Sequence, residues 1–274
     1  MKTSIAKLAI GLTLVSMSGV AMAGIAQTKH NLGGSFNGAG PNGASQGWNF
    51  NDATTEICIF CHTPHGADSS AAVPLWNRQL SSTSSYSTYA SLGTSTLDAA
   101  STAIGSVSLA CLSCHDGTQA MDVVINSQGG GTNGTVGVGS EAGPGGWFEF
   151  QAMSEVSAEM IYLGTDLRND HPVSIEYAGA LNGPITRSAY DGDFVDALDT
   201  SVANGKTVYY IDTDSSGTRS KQDLPLYNRV GGSLNGQPLV ECATCHDPHT
   251  NNTTFLRNAQ GNDDSATCLS CHIK

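Results

Sequence analysis

Charge is scarce in this 274-residue chain: Asp, Glu, Lys and Arg together make 13%, about half the ~25% usual in soluble domains. Bases are the rarer sign, 12 against 24 acids, which argues against a nucleic-acid partner, whose phosphates call for a basic face. Beyond residue 23 no apolar run approaches the ~20 residues that a membrane-crossing helix needs. No Ser-His-acid grouping or phosphate-binding loop stands out, so no enzyme of those classes is expected. No cysteine stands alone either: all eight fall in C-x-x-C pairs.

Gly, Ser, Thr and Asn take the place of the missing charge, which suits an extracellular or self-associating surface. Residues 1–23 (MKTSIAKLAIGLTLVSMSGVAMA) have a basic start at Lys2 and Lys7, an apolar centre and a small-residue end. That is the pattern of a secretory signal peptide. The expectation is therefore a mature chain over 24–274, one domain with an N-terminal arm at 24–56, and not membrane-spanning. Its localisation is expected to be secreted, extracellular or cell surface, with the periplasm as the alternative. Without Lys2 and Lys7, 10 bases face 24 acids, a formal charge of −14.

In an exported chain, an even cysteine count first suggests disulfides. Here each pair is followed directly by histidine: Cys58/Cys61/His62, Cys111/Cys114/His115, Cys242/Cys245/His246 and Cys268/Cys271/His272. A disulfide across two residues would do little for structure. Zinc accepts paired C-x-x-C but does not need a histidine after every second cysteine. Covalent c-type haem does. Cysteines three apart lie on one side of a helical turn and reach the two vinyl positions of one macrocycle, and the next residue turns its imidazole to the iron. Four haems would leave about 63 residues of the mature chain for each, so haem faces must supply much of the core.

Four of the eight histidines are then proximal ligands, which leaves His30, His65, His171 and His249. Four irons and four spare histidines predict four bis-histidine haems. Met121, Met153 and Met160 are read as packing residues. In "CHTPHG" and "CHDPHT" the second histidine cannot reach the iron of the first, because axial ligands approach from opposite faces. Three residues span at most ~10 Å, so His65 and His249 are expected to bind neighbouring haems. The assignment by nearest motif gives His65 to the haem of Cys111/Cys114 and His249 to that of Cys268/Cys271. His171 and His30 are left for the haems of Cys58/Cys61 and Cys242/Cys245, and the His30 haem could lie in another subunit.

Elsewhere, "STLDAASTAIGSVSLACLSCH" (95–115) has apolar residues near helical spacing and predicts a helix delivering the second motif. Residues 116–170 read mostly as loop, and "KTVYYI" (206–211) as strand. The loop that follows, 212–223, aligns with a calcium loop through Asp212, Asp214, Ser216 and Asp223, with Gly217 at the turn. The competing reading is an acidic β-turn.

Taken with "PLWNR", "CLSCHDGT", "NDHPVS" and "CLSCHIK", the two CHxPH strings resemble those of outer-surface multihaem c-type cytochromes of metal-respiring microbes. In particular the chain is similar to tetrahaem cytochromes that polymerise into extracellular filaments, the cytochrome nanowires. The resemblance implies a mostly irregular coil with a few short helices and little strand, organised around a chain of four haems. It also implies a distal histidine near the N-terminus, matched by His30, donated to a neighbouring subunit's haem. Partners would be copies of the chain, redox-partner cytochromes and an extracellular electron acceptor. The functional expectation is electron transfer, not enzymatic catalysis, with a monomeric periplasmic carrier as the alternative and a multihaem reductase with an open iron as a second.

Overall fold

The computed structural model describes residues 24–32, 57–82, 85–95, 97, 99–119, 124–126, 162–179, 191–199, 208–230, 234–258 and 262–273. The signal-peptide expectation over 1–23, residues 33–56 of the arm, and Met121, Met153 and Met160 lie outside them. Within them, regular structure is sparse, as expected: mostly coil, a few short helices and little strand.

Helix α1 (Ser106–His115) carries the second cysteine pair. It is buried on several sides, by Val107, Leu109, Ala110 and Leu112 and by the small polar Ser108 and Ser113. A helix with no polar face belongs in an interior. The helix expected over 95–115 is therefore half as long. Gly105, in extended conformation, precedes it without a side-chain cap, and Ser101 instead forms a bridge with Ile175. Helices α2 (Cys242–Cys245) and α3 (Ala266–Leu269) are single turns at the third and fourth pairs. A capping box between Glu241 and Thr244 starts α2.

Two small antiparallel sheets support these turns. In one, β1 (Ile175–Glu176) pairs with β5 (Leu239–Val240), Ile175 opposite Val240, and β5 runs directly into α2. The other has the order β2 (Leu198–Asp199), β3 (Tyr209–Ile211), β4 (Leu224–Leu226). Pro225 has no N–H to donate, which suits the edge position of β4. The strand expected over 206–211 is thus present at 209–211, and the acidic loop joins it to β4.

Apolar burial is divided among small clusters. One gathers Tyr177, Tyr209, Ile211, Leu224 and Leu226 near Cys271. Another is Leu32, Phe60 and Val124 beside Cys61. The third joins Ile104, Leu109 and Leu112 to Leu167. Residues 24–27 form a 3-10 turn, not open arm: Thr28 Oγ1 donates to the Ile25 carbonyl at 2.9 Å, and the Asn31 side-chain amide to that of Ala26 at 2.9 Å.

Candidate haem-attachment sites

Each C-x-x-C-H is wound as one turn. The histidine N–H returns to the first cysteine's carbonyl at 2.8 Å for His62, 3.1 Å for His246 and 2.9 Å for His272, and the second motif lies in α1. That turn sets both thiols on one side with the histidine following. None of the eight cysteines is in a disulfide.

Successive motifs meet through their thiols. Cys61 feels Cys114, Cys111 shares a thiol hydrogen bond with Cys242, and Cys245 lies near Cys268 and Cys271. The motifs are thus neighbours in chain order. Burial pushes Cys61 up to about 12, Cys245 to about 11 and Cys271 to about 12, each helped by a neighbouring cysteine. Cys111 is raised first by its bond with Cys242, which is itself lowered by that bond.

The first and third motifs are built alike, which makes the CHxPH repeat a structural repeat. His62 Nδ1 bonds the Pro74 carbonyl at 2.7 Å and His246 Nδ1 that of Thr254 at 2.9 Å. A carbonyl only accepts, so Nδ1 carries the proton and Nε2 keeps its lone pair for a metal. The residue after each acceptor, Leu75 or Phe255, has positive φ, +57° and +59°. Its carbonyl then receives the amide of Thr63 or Asp247, both at 2.8 Å. The next residues, Trp76 and Leu256, bridge back to His62 and His246.

The distal histidines are distributed differently from the nearest-motif assignment. The rings of His62 and His249 lie 6.2 Å apart between centroids, nearly parallel at 15°. Those of His30 and His115 are also 6.2 Å apart, at 77°. Two imidazoles on opposite sides of one metal, with bonds of about 2 Å and ring atoms about 1.2 Å from the centroid, stand roughly 6.4 Å apart. Both pairs fit one iron each. His249 lies beside His62, and His30 beside His115. The reason is tertiary: Gly24 lies so close to the segment after the third motif that a Cβ there would stand 3.2 Å from the His249 carbonyl oxygen. Within this chain His30 lies beside His115 of the second motif.

His30 is held by burial at about 4, with His115 lowering it further and only the Pro248 carbonyl opposing. A neutral imidazole is what a metal requires. His171 has Nδ1 on the Pro172 carbonyl at 3.0 Å. The residue, like His65, is exposed, yet desolvation lowers its pKa, and nearby His272 lowers it too. His249 Nδ1 bonds Asp247 at 3.1 Å. His65 is exposed, and its imidazole meets no other among the described residues. Beside the motifs, Leu75 (52% exposed), Leu269 (45%) and Ile273 (54%) present apolar surface.

Residues 237–274, which hold the third and fourth motifs, match the family model of the doubled CXXCH motif. The doubled motif supports a multihaem c-type cytochrome. No curated relative matches the chain. The haem-binding, electron-transfer reading of such a cytochrome fits the paired turns and the imidazole separations above. No helix among the described residues is long and apolar enough to cross a membrane.

Some supporting residues carry no sequence signal of their own. Buried Arg78 donates from Nη2 to the Ser113 carbonyl at 3.0 Å, tying the first motif's return segment to α1. Asn77 reaches the carbonyls of Ile59 at 2.6 Å and Asn126 at 2.9 Å. Asp116, which follows His115, accepts from Tyr86 at 2.6 Å and Ser81 at 2.8 Å.

In the acidic loop, Asp212, Asp214 and Asp223 offer oxygens that all lie within 4.8 Å of one another. The Ser216 hydroxyl donates to the Thr218 carbonyl at 2.8 Å. The carboxylates also accept backbone amides, Asp212 from Ser216 and Gly217 and Asp223 from Thr213 and Ser220.

Proposed function

We propose that the chain carries four covalent c-type haems, each between two histidines, and passes electrons along them in motif order. Low-spin haem iron exchanges single electrons, and histidine in both axial positions holds its potential below that of a methionine-ligated haem. The observation that carries this reading is the 6.2 Å separation in both His62–His249 and His30–His115. His171 serves the haem of His272. The protein's part is to fix tautomers, exclude water and keep successive attachment points adjacent. It is not an enzyme, since every histidine is used to bind iron.

His246 and His65 remain. Among the described residues neither faces another imidazole, and His65 is exposed. In the filament reading, His65 of one copy completes the haem of His246 in the next, and the chain is exported to form an extracellular conductor. A monomeric carrier would close this pair within one chain.

Haem content by alkaline pyridine spectrum and intact mass tests the count; fewer than four covalent haems would overturn it. Carbon monoxide binding to the fully reduced native protein would revive the reductase reading. Electron microscopy of the secreted protein at neutral pH, without denaturant, decides assembly. Unbranched filaments support the polymer, and discrete particles the carrier.

The acidic loop is proposed as a weak calcium site through Asp212, Asp214 and Asp223. Millimolar calcium should raise the melting temperature of wild type but not of Asp212→Asn, and equal behaviour of the two would remove the cation from the account.

A further inference from the structure

We propose that Phe255 is a positioning residue whose ring holds the His30 imidazole crossed against that of His115, making the iron between them electronically distinct from the iron between His62 and His249. This rests on the reading that each of these pairs shares an iron.

Phe255 stacks on His30 with centroids 4.1 Å apart and planes 23° from parallel. Its backbone is held from both sides. The Phe255 amide donates to the Asn252 carbonyl at 3.0 Å, and its carbonyl accepts the Asp247 amide at 2.8 Å. With φ at +59°, a conformation that non-glycine residues avoid, this placement is imposed by its surroundings. Leu75 holds the same conformation in the first motif, so the return segment sets the backbone and what Phe255 adds is its ring. The preceding carbonyl, of Thr254, fixes His246, so one short segment orients a ligand of the third motif and a ligand of the second.

An aromatic ring stacked face to face stops the imidazole from turning about its metal bond, and here it stops the ring at 77° to His115. In low-spin ferric iron each imidazole raises the iron orbital perpendicular to its own plane. Parallel planes, as in His62 and His249 at 15°, raise the same orbital and split the pair that shares the unpaired electron. Crossed planes raise one each and leave the pair nearly degenerate. Orbital momentum then survives, and the g values spread widely.

The test is electron paramagnetic resonance on the fully oxidised four-haem protein. Wild type should show both a rhombic low-spin signal and a strongly anisotropic one at lower field. Absence of the anisotropic signal would overturn the proposal without any variant. Phe255→Leu should shift that component toward the rhombic class while the absorption spectrum stays low-spin, and Phe255→Tyr should keep it. An unchanged anisotropic signal in Phe255→Leu would overturn the positioning role. His30→Ala separates the two readings: it should remove the anisotropic signal and create one haem that binds carbon monoxide. If it does neither, the ligand assignment fails as well. If it does both and Phe255→Leu changes nothing, only the role of Phe255 fails.

Discussion

Glu241 receives the guanidinium of Arg229 at 2.8 Å in an interior where the carboxylate side chain has no exposed surface. The same carboxylate accepts from Ser108 on α1 at 2.5 Å and from Ser174, beside β1, at 3.1 Å. Burial raises its pKa, and Ser108 and Arg229 oppose the rise. Since Glu241 also starts α2, this one side chain joins the turn of the third motif to the helix of the second and to the segment that follows His171.

Removing one partner of a buried ion pair leaves the other charged and unpaired, at a cost of about 3–5 kcal/mol. Glu241→Ala should therefore lower the stability of the haem-loaded protein by that amount. Ser108→Ala, which deletes the bond to Glu241 and the one accepted from the Cys242 amide at 3.0 Å, should cost about 2 kcal/mol. Urea unfolding followed by circular dichroism measures both. Similar midpoints for the two variants would contradict the central place of Glu241.

The distal pairs predict ligand-specific spectra. His249→Ala should open the iron of Cys58/Cys61, and one haem per chain should then bind carbon monoxide in the reduced state. Combining it with His30→Ala should give two, because the pairs engage separate irons and independent sites add. His249→Met should instead keep a closed iron and raise its potential. A carbon monoxide stoichiometry unchanged from wild type in His249→Ala would break the His62–His249 assignment.

These pairs also mark what the sequence could and could not tell. Four CxxCH strings fix the attachment chemistry locally, because the turn that presents two thiols and an imidazole spans only five residues. Four spare histidines were legible by counting. Their partners were not, since His30 and His249 reach His115 and His62 through tertiary approach, and Gly24 against His249 leaves no mark in spacing. The helix expected over 95–115 holds only in its second half: Val107, Ser108, Leu109, Ala110, Leu112 and Ser113 are all interior, so no stripe dates its start. Glu241, Arg78 and Asn77 look like ordinary surface polar residues until burial shows otherwise. Phe255 and Leu75 look like ordinary apolar residues until φ is known.

Asp166 gives a pH prediction. Its pKa is lowered to about 2 by the hydrogen bonds and charge of Arg168, whose Nη2 lies 2.6 Å away. A depressed carboxyl stabilises the fold above its unfolded value of about 3.9 and loses that contribution as pH falls toward the folded value. Both groups are exposed, so the effect should be small at pH 7 and screened by salt. Asp166→Asn should flatten stability between pH 4 and 2 in low salt, as read from urea midpoints. An undiminished slope would assign the acid sensitivity elsewhere.

Leu75 offers the opposite kind of substitution, one expected not to harm. It holds φ at +57° with its side chain half exposed, and its role in the first motif is carried by backbone: the Leu75 carbonyl accepts the Thr63 amide while Pro74 holds His62. A left-handed residue with a Cβ costs about 1–2 kcal/mol. Glycine avoids that penalty but loses about 0.5–1 kcal/mol to the greater freedom of its unfolded chain. Leu75→Gly should accordingly be neutral or stabilising by up to about 1 kcal/mol, whereas Leu75→Val, β-branched and stiff, should destabilise. Both should keep a low-spin haem at Cys58/Cys61 if only the backbone is needed to fix His62. A high-spin signal in Leu75→Gly would show instead that the leucine side chain itself, packed on the macrocycle, keeps water from the iron.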